Sequence, residues 1–273
     1  MDQAERSRVF RELHASGCFV IPNPWDLGSA RILEQLGFRA LATTSSGFAW
    51  SRGRPDNGVT VDDALSHFRT IAEGVGVPVN GDFEGGFAIE PADVAGNVAR
   101  AATTGLAGVS IEDSSGEAAE PLFAFDLAVE RVRAARRAID ASGREVLLTG
   151  RSEGYLVGRA DLAETIRRLT AYAEAGADCL YAPGLRSKDD IGAVVRAVAP
   201  KPVNVLVGSD FITVPALAQL GVRRISVGGA LARAAWGGFL EAAREIAERG
   251  TFAQLGRAVP FAEINGRFQG EAK

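Results

Sequence analysis

The sequence predicts a (β/α)8 barrel followed by extra helices, on three observations. Eight short apolar runs recur along the chain, segments of helical period separate them, and several of those segments stop at a glycine just ahead of the next run. An alternation of this kind builds a parallel sheet with helices on its outer face. The rival is an open, doubly wound sheet. Its nucleotide signature, Gly-x-Gly-x-x-Gly after the first strand, is missing here, and eight regular units favour closure.

The first run, 18–23 (CFVIPN), leads into the helical segment 27–36, and the second, 40–45 (ALATTS), leads through a long loop into 61–73. Runs three and four, 78–83 (PVNGDF) and 108–113 (GVSIED), precede helices over 92–103 and 127–141. The remaining runs, 146–151, 179–183, 202–207 and 224–229, alternate with 160–174, 189–197, 214–220 and 230–249. Each run is mostly apolar, as a strand covered on both faces must be. Gly37, Gly105, Gly143, Gly176 and Gly221 supply the left-handed residue that ends a helix. Two rim loops are long, 46–60 and 114–125. From about 235 the chain overruns the eighth unit with Trp236, Phe239, Phe252, Phe261 and Phe268, apolar surface expected either to cap the barrel bottom or to pack on another subunit.

At 273 residues the length suits one such barrel, and 47% apolar residues supply a core. A net charge of −4 gives no electrostatic reason for nucleic acid or an anionic membrane as partner. No apolar stretch is long enough to span a bilayer, and the charged start Met1-Asp2-Gln3-Ala4-Glu5-Arg6 does not read as a signal peptide. Cys18 and Cys179 read as buried reduced thiols, and a cytoplasmic address is expected. The lysines are only Lys188, Lys201 and Lys273, none placed for Schiff-base chemistry at the C-terminal rim.

In barrels that rim carries the chemistry. The third and fourth runs end in Asp82, Glu84 and Glu112, acids that repel unless a cation or proton sits between them. Alternation along a strand would give Asp82 and Glu84 a common direction if the strand continues that far. With no His or Cys beside them, these oxygen ligands suit Mg2+ or Mn2+ and not zinc; the rival is a hydrogen-bonded network without metal. Arg151 offers a planar fork to a substrate carboxylate, or else an ion pair with Glu112, Asp113 or Glu153. Ser45, Ser46 and Gly47 either turn backbone N–H groups toward an anion or form a plain loop turn. Asn204 either holds substrate or organises a loop. His14 and His67 fall on helices away from the strand ends and read as surface or packing residues.

These residues resemble the phosphoenolpyruvate mutase/isocitrate lyase superfamily from about 19 to 236. The likeness is carried by Asn23-Pro24-Trp25-Asp26, Thr44-Ser45-Ser46-Gly47-Phe48-Ala49 with Pro55-Asp56, and Gly81-Asp82-Phe83-Glu84-Gly85-Gly86-Phe87. It continues through Ser110-Ile111-Glu112-Asp113, Gly150-Arg151-Ser152-Glu153 and Asn204. The resemblance implies a barrel whose last helix swaps between subunits in a dimer of dimers. It also implies Mg2+, an α-keto or α-hydroxy acid substrate, and an enolate-like intermediate. Asp82, Glu84 and Glu112 match the metal acids, and Arg151 matches the substrate-binding arginine. Ser45, Ser46 and Gly47, with Trp25 nearby, match the keto-acid cradle, and Asp56 the acid after the strand-2 loop. Arg151, Asp56 and Glu112 are thus the expected catalytic groups, and Trp25, Ser45, Ser46, Gly47, Asp82, Arg151 and Asn204 the substrate contacts.

The chain departs from the pattern after strand 4. Where isocitrate-cleaving relatives carry Lys-x-Cys-Gly-His, this chain reads Ser114-Ser115-Gly116-Glu117-Ala118-Ala119-Glu120-Pro121. Retro-aldol cleavage needs a base for the hydroxyl proton; decarboxylation of a β-keto acid needs only a charge sink. Decarboxylation is therefore the expected reaction, with Glu117 or Glu120 as the bases the loop still offers. The alternatives are carbon–phosphorus chemistry and a keto-acid-binding barrel with little turnover. A phosphate site at Gly228-Gly229 is a weaker rival, because the acids on the same rim oppose a dianion.

Overall fold

The computed structural model describes residues 1–269 and shows eight parallel strands alternating with helices. The strands are β1 (Phe19–Ile21), β2 (Leu41–Ala42), β3 (Val79–Asp82), β4 (Gly108–Glu112), β5 (Leu147–Arg151), β6 (Cys179–Tyr181), β7 (Val203–Leu206) and β8 (Arg224–Ser226). Neighbours pair in the order β1-β8-β7-β6-β5-β4-β3-β2. At the seam between β1 and β2 the Ala42 N–H donates to the Pro22 carbonyl at 3.1 Å. Asn23 closes the same corner. Its Nδ2 donates to the Thr43 carbonyl at 3.0 Å, and its Oδ1 accepts the N–H groups of Val227 and Gly228, each at 2.9 Å. One side chain thereby ties the ends of β1, β2 and β8, and the expected (β/α)8 barrel is the fold.

The outer helices are α2 (Leu27–Gln35), α4 (Val61–Gly74), α5 (Pro91–Ala102), α6 (Phe125–Ala141), α7 (Leu162–Glu174), α8 (Lys188–Ala197) and α9 (Val214–Gln219). Several begin where a short polar side chain accepts an orphan N–H of the first turn: Asp26 and Thr60 in capping boxes, Asp161, Ser187 and Thr213 alone. The glycines expected to end helices do adopt positive φ, from 65° at Gly143 to 106° at Gly176.

Two local expectations change. The loop after β2 opens with a short helix, α3 (Ser45–Ser51), because the Thr44 hydroxyl caps it at Gly47 N–H and no breaker follows before Gly53. The third strand stops at Asp82, and Glu84 turns into the left-handed region with φ 48°. Strand alternation therefore does not set the direction of Glu84 relative to Asp82.

An N-terminal helix, α1 (Gln3–Ala15), packs on the strand interior. Its Phe10 and Leu13 are buried with Ile21, Ala40, Ala42, Ala107 and Leu147, each large apolar side chain contributing about 1.5–3 kcal/mol. Gly108 is required here, since a Cβ would stand 2.6 Å from the Phe10 ring. Both histidines pack, as expected of them. His14 lies edge-on to Phe10 and Phe19, and His67 stacks on Phe48 with centroids 4.0 Å apart. Cys179 is buried and Cys18 half-buried, both as free thiols.

A second compact unit begins at Ala230, with α10 (Ala230–Arg249), a 3-10 turn (Ala253–Arg257) and α11 (Phe261–Gly266). Glu245 folds the chain back after α10 by accepting from Thr251 Oγ1 at 2.6 Å and from the N–H groups of Ala253 and Gln254 at 2.9 and 2.7 Å. Phe239 and Phe261 of this unit are 58% and 81% exposed. Among the described residues no helix is long and apolar enough to cross a membrane.

Burial holds both histidines neutral, lowering His14 to about 3 and His67 to about 4, where a solvated ring titrates near 6.5. Below pH 6.5 the unfolded chain takes up protons that the folded chain refuses, so this stability is complete above 6.5 and is lost on acidification. Each histidine should forfeit about 1 kcal/mol between pH 7 and 5.5. Urea unfolding at the two pH values should show His67→Gln losing about 1 kcal/mol less than the parent chain; an identical loss refutes it.

Candidate active site

Arg151 ends β5 with its guanidinium among carboxylates. Nη1 lies 3.1 Å from Asp82 Oδ1 and 3.0 Å from Glu112 Oε2, while Nε and Nη2 pair with the two oxygens of Glu153 at 2.5 and 3.2 Å. The three acids come from β3, β4 and the residue pair following β5, and parallel registry brings them level: Asp82 faces Ser110, and Glu112 faces Arg151. Tyr181 of β6 places its ring 5.3 Å from the guanidinium carbon. Burial disfavours the Arg151 charge, yet Glu112, Glu153 and Asp82 outweigh it and hold the group above its ordinary pKa.

The acids exceed what one arginine neutralises. Burial first, then Asp82 and Asp56, push Glu84 up to about 8. Burial likewise raises Glu112 well above its usual range, against the pull of Arg151, and Glu153 moves the same way. Asp56 is raised by burial and by Asp82; Ser45 Oγ donates to it at 3.4 Å.

A cavity of about 190 Å³ opens beside this cluster. Asp82, Asp56, Arg151, Ser45, Ser46, Asn204 and Gly228 line it, so most of the expected substrate contacts share one space. Gly47 does not line it; its N–H is spent on the Thr44 hydroxyl at 3.4 Å. The Ser45 N–H donates to Asp82 Oδ2 at 3.1 Å. Two of the three cradle N–H groups are therefore engaged within the protein. Trp25 stands outside the cavity lining, and its N–H donates to Ser29 Oγ at 3.2 Å. Glu84 and Glu112 open instead onto an adjoining recess with Ser114 and Arg131.

Sequence reasoning missed the residues that hold the rim loops. Arg131 of α6, 1% exposed, donates to the carbonyls of Gly85, Ala88 (2.5 Å) and Ile89 (2.6 Å), and its guanidinium carbon lies 3.9 Å from the Phe123 ring centre. It thus clamps the turn that carries Glu84. Asp113, buried after β4, accepts Tyr172 OH at 2.6 Å, Glu153 N–H at 2.7 Å and Arg168 Nη1 at 3.1 Å, which fixes the backbone of Glu153. Its signal was an acid beside Glu112; nothing local marks Arg131 among the neighbouring arginines of its helix.

The donor set fits a hard divalent cation. Among the described residues no three Asp, Glu, His or Cys side chains are arranged to bind one ion directly, because Arg151 stands between Asp82 and Glu112 and the turn at Glu84 leads away. Yet Glu84 Oε1 is buried without a partner. Three carboxylates (Asp82, Glu112, Glu153) contact one guanidinium, and the charge of Asp82 is felt by Asp56 and Glu84 as well. Mg2+ commonly uses one or two carboxylates and reaches the rest through water, which this spacing suits.

Barrel and acid-lined cavity define the class, an α/β barrel with its candidate active site at the C-terminal ends of the strands. Within it the chain belongs to the phosphoenolpyruvate phosphomutase family, whose model matches residues 10–247. It is 35% identical over 260 residues to an uncharacterized Mycobacterium tuberculosis protein, covering 94% of this chain and 95% of that one. It is 31% identical over 206 residues to an oxaloacetate decarboxylase of Paraburkholderia xenovorans, covering 71% of this chain and 66% of the relative. A Burkholderia cenocepacia crystal structure, described no further than lyase/mutase, superposes with TM-score 0.94 at 49% identity over 98% of this chain and 96% of its own.

If a divalent ion belongs here, saturating Mg2+ should stabilise the fold. At a hundredfold excess over Kd the gain is about 2.7 kcal/mol, a Tm rise of about 5–10 °C for a chain of this size. Calorimetry should show that rise in the parent chain and its loss in Asp82→Ala and Glu84→Ala; equal Mg2+ responses in all three refute the assignment.

Proposed function

We propose that this protein is a Mg2+-dependent carbon–carbon lyase acting on a small α-keto or α-hydroxy acid, with decarboxylation of a β-keto diacid as the favoured reaction. The observation that carries it is the cavity wall at Arg151, where three carboxylates, Asp82, Glu112 and Glu153, contact one guanidinium. The cavity of about 190 Å³ suits an acid of a few carbons. Similarity to an oxaloacetate decarboxylase supports the same reading.

When bound, a divalent ion supplies charge stabilisation to the oxygen of an enolate. Asp82, Glu84 and Glu112 are the residues that would hold it. Arg151 keeps fixed positive charge at the same wall, where stabilisation of a developing oxyanion is worth most because little water enters. Asp56 lines the cavity, and burial and Asp82 raise its pKa, which makes it a candidate to return a proton to the carbanion carbon after CO2 has left.

The loop after β4 supports the choice of reaction. It is pinned by Ser115 N–H donating to the Pro121 carbonyl at 3.0 Å and Phe123 N–H to the Asp113 carbonyl at 2.9 Å. It brings no Cys, His or Lys to serve as base in aldol-type cleavage. Carbon–phosphorus chemistry is the poorer fit, since the loop from Ser114 to Pro121 offers no Lys or Asn side chain to a phosphonate.

We also propose a homo-oligomer, a dimer of dimers, in which the exposed apolar residues of the second unit are covered by another copy. Light scattering should then give about four times the 28.7 kDa chain mass; a monomer would refute it.

The reaction is tested with oxaloacetate and Mg2+, following pyruvate. The expected outcome is turnover abolished by chelation and reduced at least about a hundredfold in Asp82→Ala, the scale of losing a principal charge-stabilising group. Binding of oxaloacetate without turnover would point to a keto-acid-binding barrel.

A further inference from the structure

The cavity holds a second guanidinium, and this one has no anion. Arg224 opens β8, is 3% exposed, and reaches across the barrel interior. Its Nη2 donates to Thr149 Oγ1 on β5 at 3.1 Å, its Nε donates to Asn204 Oδ1 on β7 at 2.9 Å, and its Nη1 lies 3.4 Å from His14 Nε2 on α1. All three partners are neutral. His14 Nδ1 lies 2.7 Å from the Phe10 carbonyl and must carry the ring proton, which leaves Nε2 as an acceptor facing Arg224. A guanidinium has five N–H groups; three are engaged in this way. Among the described residues no carboxylate pairs with it.

The surroundings are built for a polar occupant. Barrel interiors are ordinarily filled by branched apolar side chains. Here Asn80, Ser110, Tyr181, Asn204 and Ser226 line the same cavity as Arg224, and all are buried. Asn80 Oδ1 has no hydrogen-bond partner at all. Ser226 Oγ accepts from Asn204 Nδ2 at 2.9 Å and stands 3.5 Å from Tyr181 OH. At the rim, by contrast, every nitrogen of Arg151 is already matched to a carboxylate oxygen. An entering acid therefore meets a wall with surplus negative charge at the strand ends and an uncompensated cation below.

We propose that Arg224 is the carboxylate anchor of this cavity and fixes its selectivity for short dicarboxylates: it takes the carboxylate that the reaction leaves intact, with Asn204 and Ser226 alongside. The assignment rests on the proposed keto-acid chemistry and moves the anchoring role from Arg151 to Arg224. A carboxylate paired with a guanidinium is stabilised in its charged form. A group departing as CO2 must give up that charge, so the anchored carboxylate is the retained one, and the departing one lies toward the rim.

The test uses malonate, an unreactive dicarboxylate, titrated calorimetrically into the full chain with Mg2+ present, beside Mg2+ titrated alone. The parent chain should bind malonate, and Arg224→Gln should weaken it about 30-fold, the loss expected for a charge-assisted contact. Arg224→Lys should recover part of that affinity, and Mg2+ binding should stay within about twofold in both variants. A folded Arg224→Gln that binds malonate like the parent overturns the proposal, as does an equal loss of malonate and Mg2+ binding, the mark of a purely structural arginine. Failure of the parent to bind either malonate or oxaloacetate would instead overturn the keto-acid reading itself. Should Arg224→Gln not fold, parent crystals soaked in malonate decide the matter. A carboxylate within about 3 Å of an Arg224 Nη supports the anchor, and malonate confined to the rim overturns it.

Discussion

Around Arg151 the protein gathers more negative charge than it neutralises, and most of the surrounding architecture serves to hold that imbalance in place. Asp82 and Glu112 share one nitrogen and Glu153 takes the other edge of the fork. Carboxylates this deeply buried would ordinarily neutralise by taking up protons, and the raised pKa values of Glu84 and Glu112 record that tendency. A divalent cation and a set of protons are competing solutions to the same electrostatic problem.

Such a cluster persists only if its frame is stiff. Asp113 receives three donors, Arg168 and Tyr172 of α7 and the Glu153 N–H, so the acid that pairs with Arg151 is held at its backbone. Arg131 performs the corresponding task on the other side, gathering three carbonyls of the turn after β3 and stacking under Phe123 of the next loop. Both are buried charges satisfied by many hydrogen bonds, and removal of either would leave unpaired partners at a cost of about 3–5 kcal/mol. The price of geometric precision at the rim is thus a ring of supporting ions that never touch substrate.

The parts of this arrangement legible in the sequence are those governed by local rules. Apolar runs, capping residues such as Asp26 and Thr60, and glycines such as Gly176 each act through their own neighbours, so the barrel could be read from them. Asp82 and Arg151 were equally legible, because a strand end in a barrel fixes where a side chain goes. The direction of Glu84 was not, although Gly85-Gly86 after it signals that a strand must break there. Arg131 was hidden among Arg133, Arg136 and Arg137 of one helix, since what distinguishes it is three carbonyls more than forty residues away. Arg224 was hidden for a related reason. A charge opening a strand normally reads as solvated, and only the packing of α1, with His14 against it, makes that end of β8 an interior.

The loop after β4 and the interior of the barrel then divide the work in an uneven way. Chemistry that begins with proton abstraction from a hydroxyl needs a base, and the loop from Ser114 to Pro121 offers only the carboxylates of Glu117 and Glu120 for that role. Chemistry that begins with loss of CO2 needs no such base, because the electron pair of the breaking C–C bond passes to the carbonyl oxygen, where positive charge held at the wall would stabilise it. A chain that keeps the acid cluster and Arg151 while its loop lacks Cys, His and Lys is the ground on which decarboxylation is proposed ahead of aldol-type cleavage. Selectivity must then come from groups the loop does not supply, and the polar interior beneath the rim, lined by Asn204, Ser226 and Arg224, is the part of the cavity with hydrogen-bonding capacity to provide it.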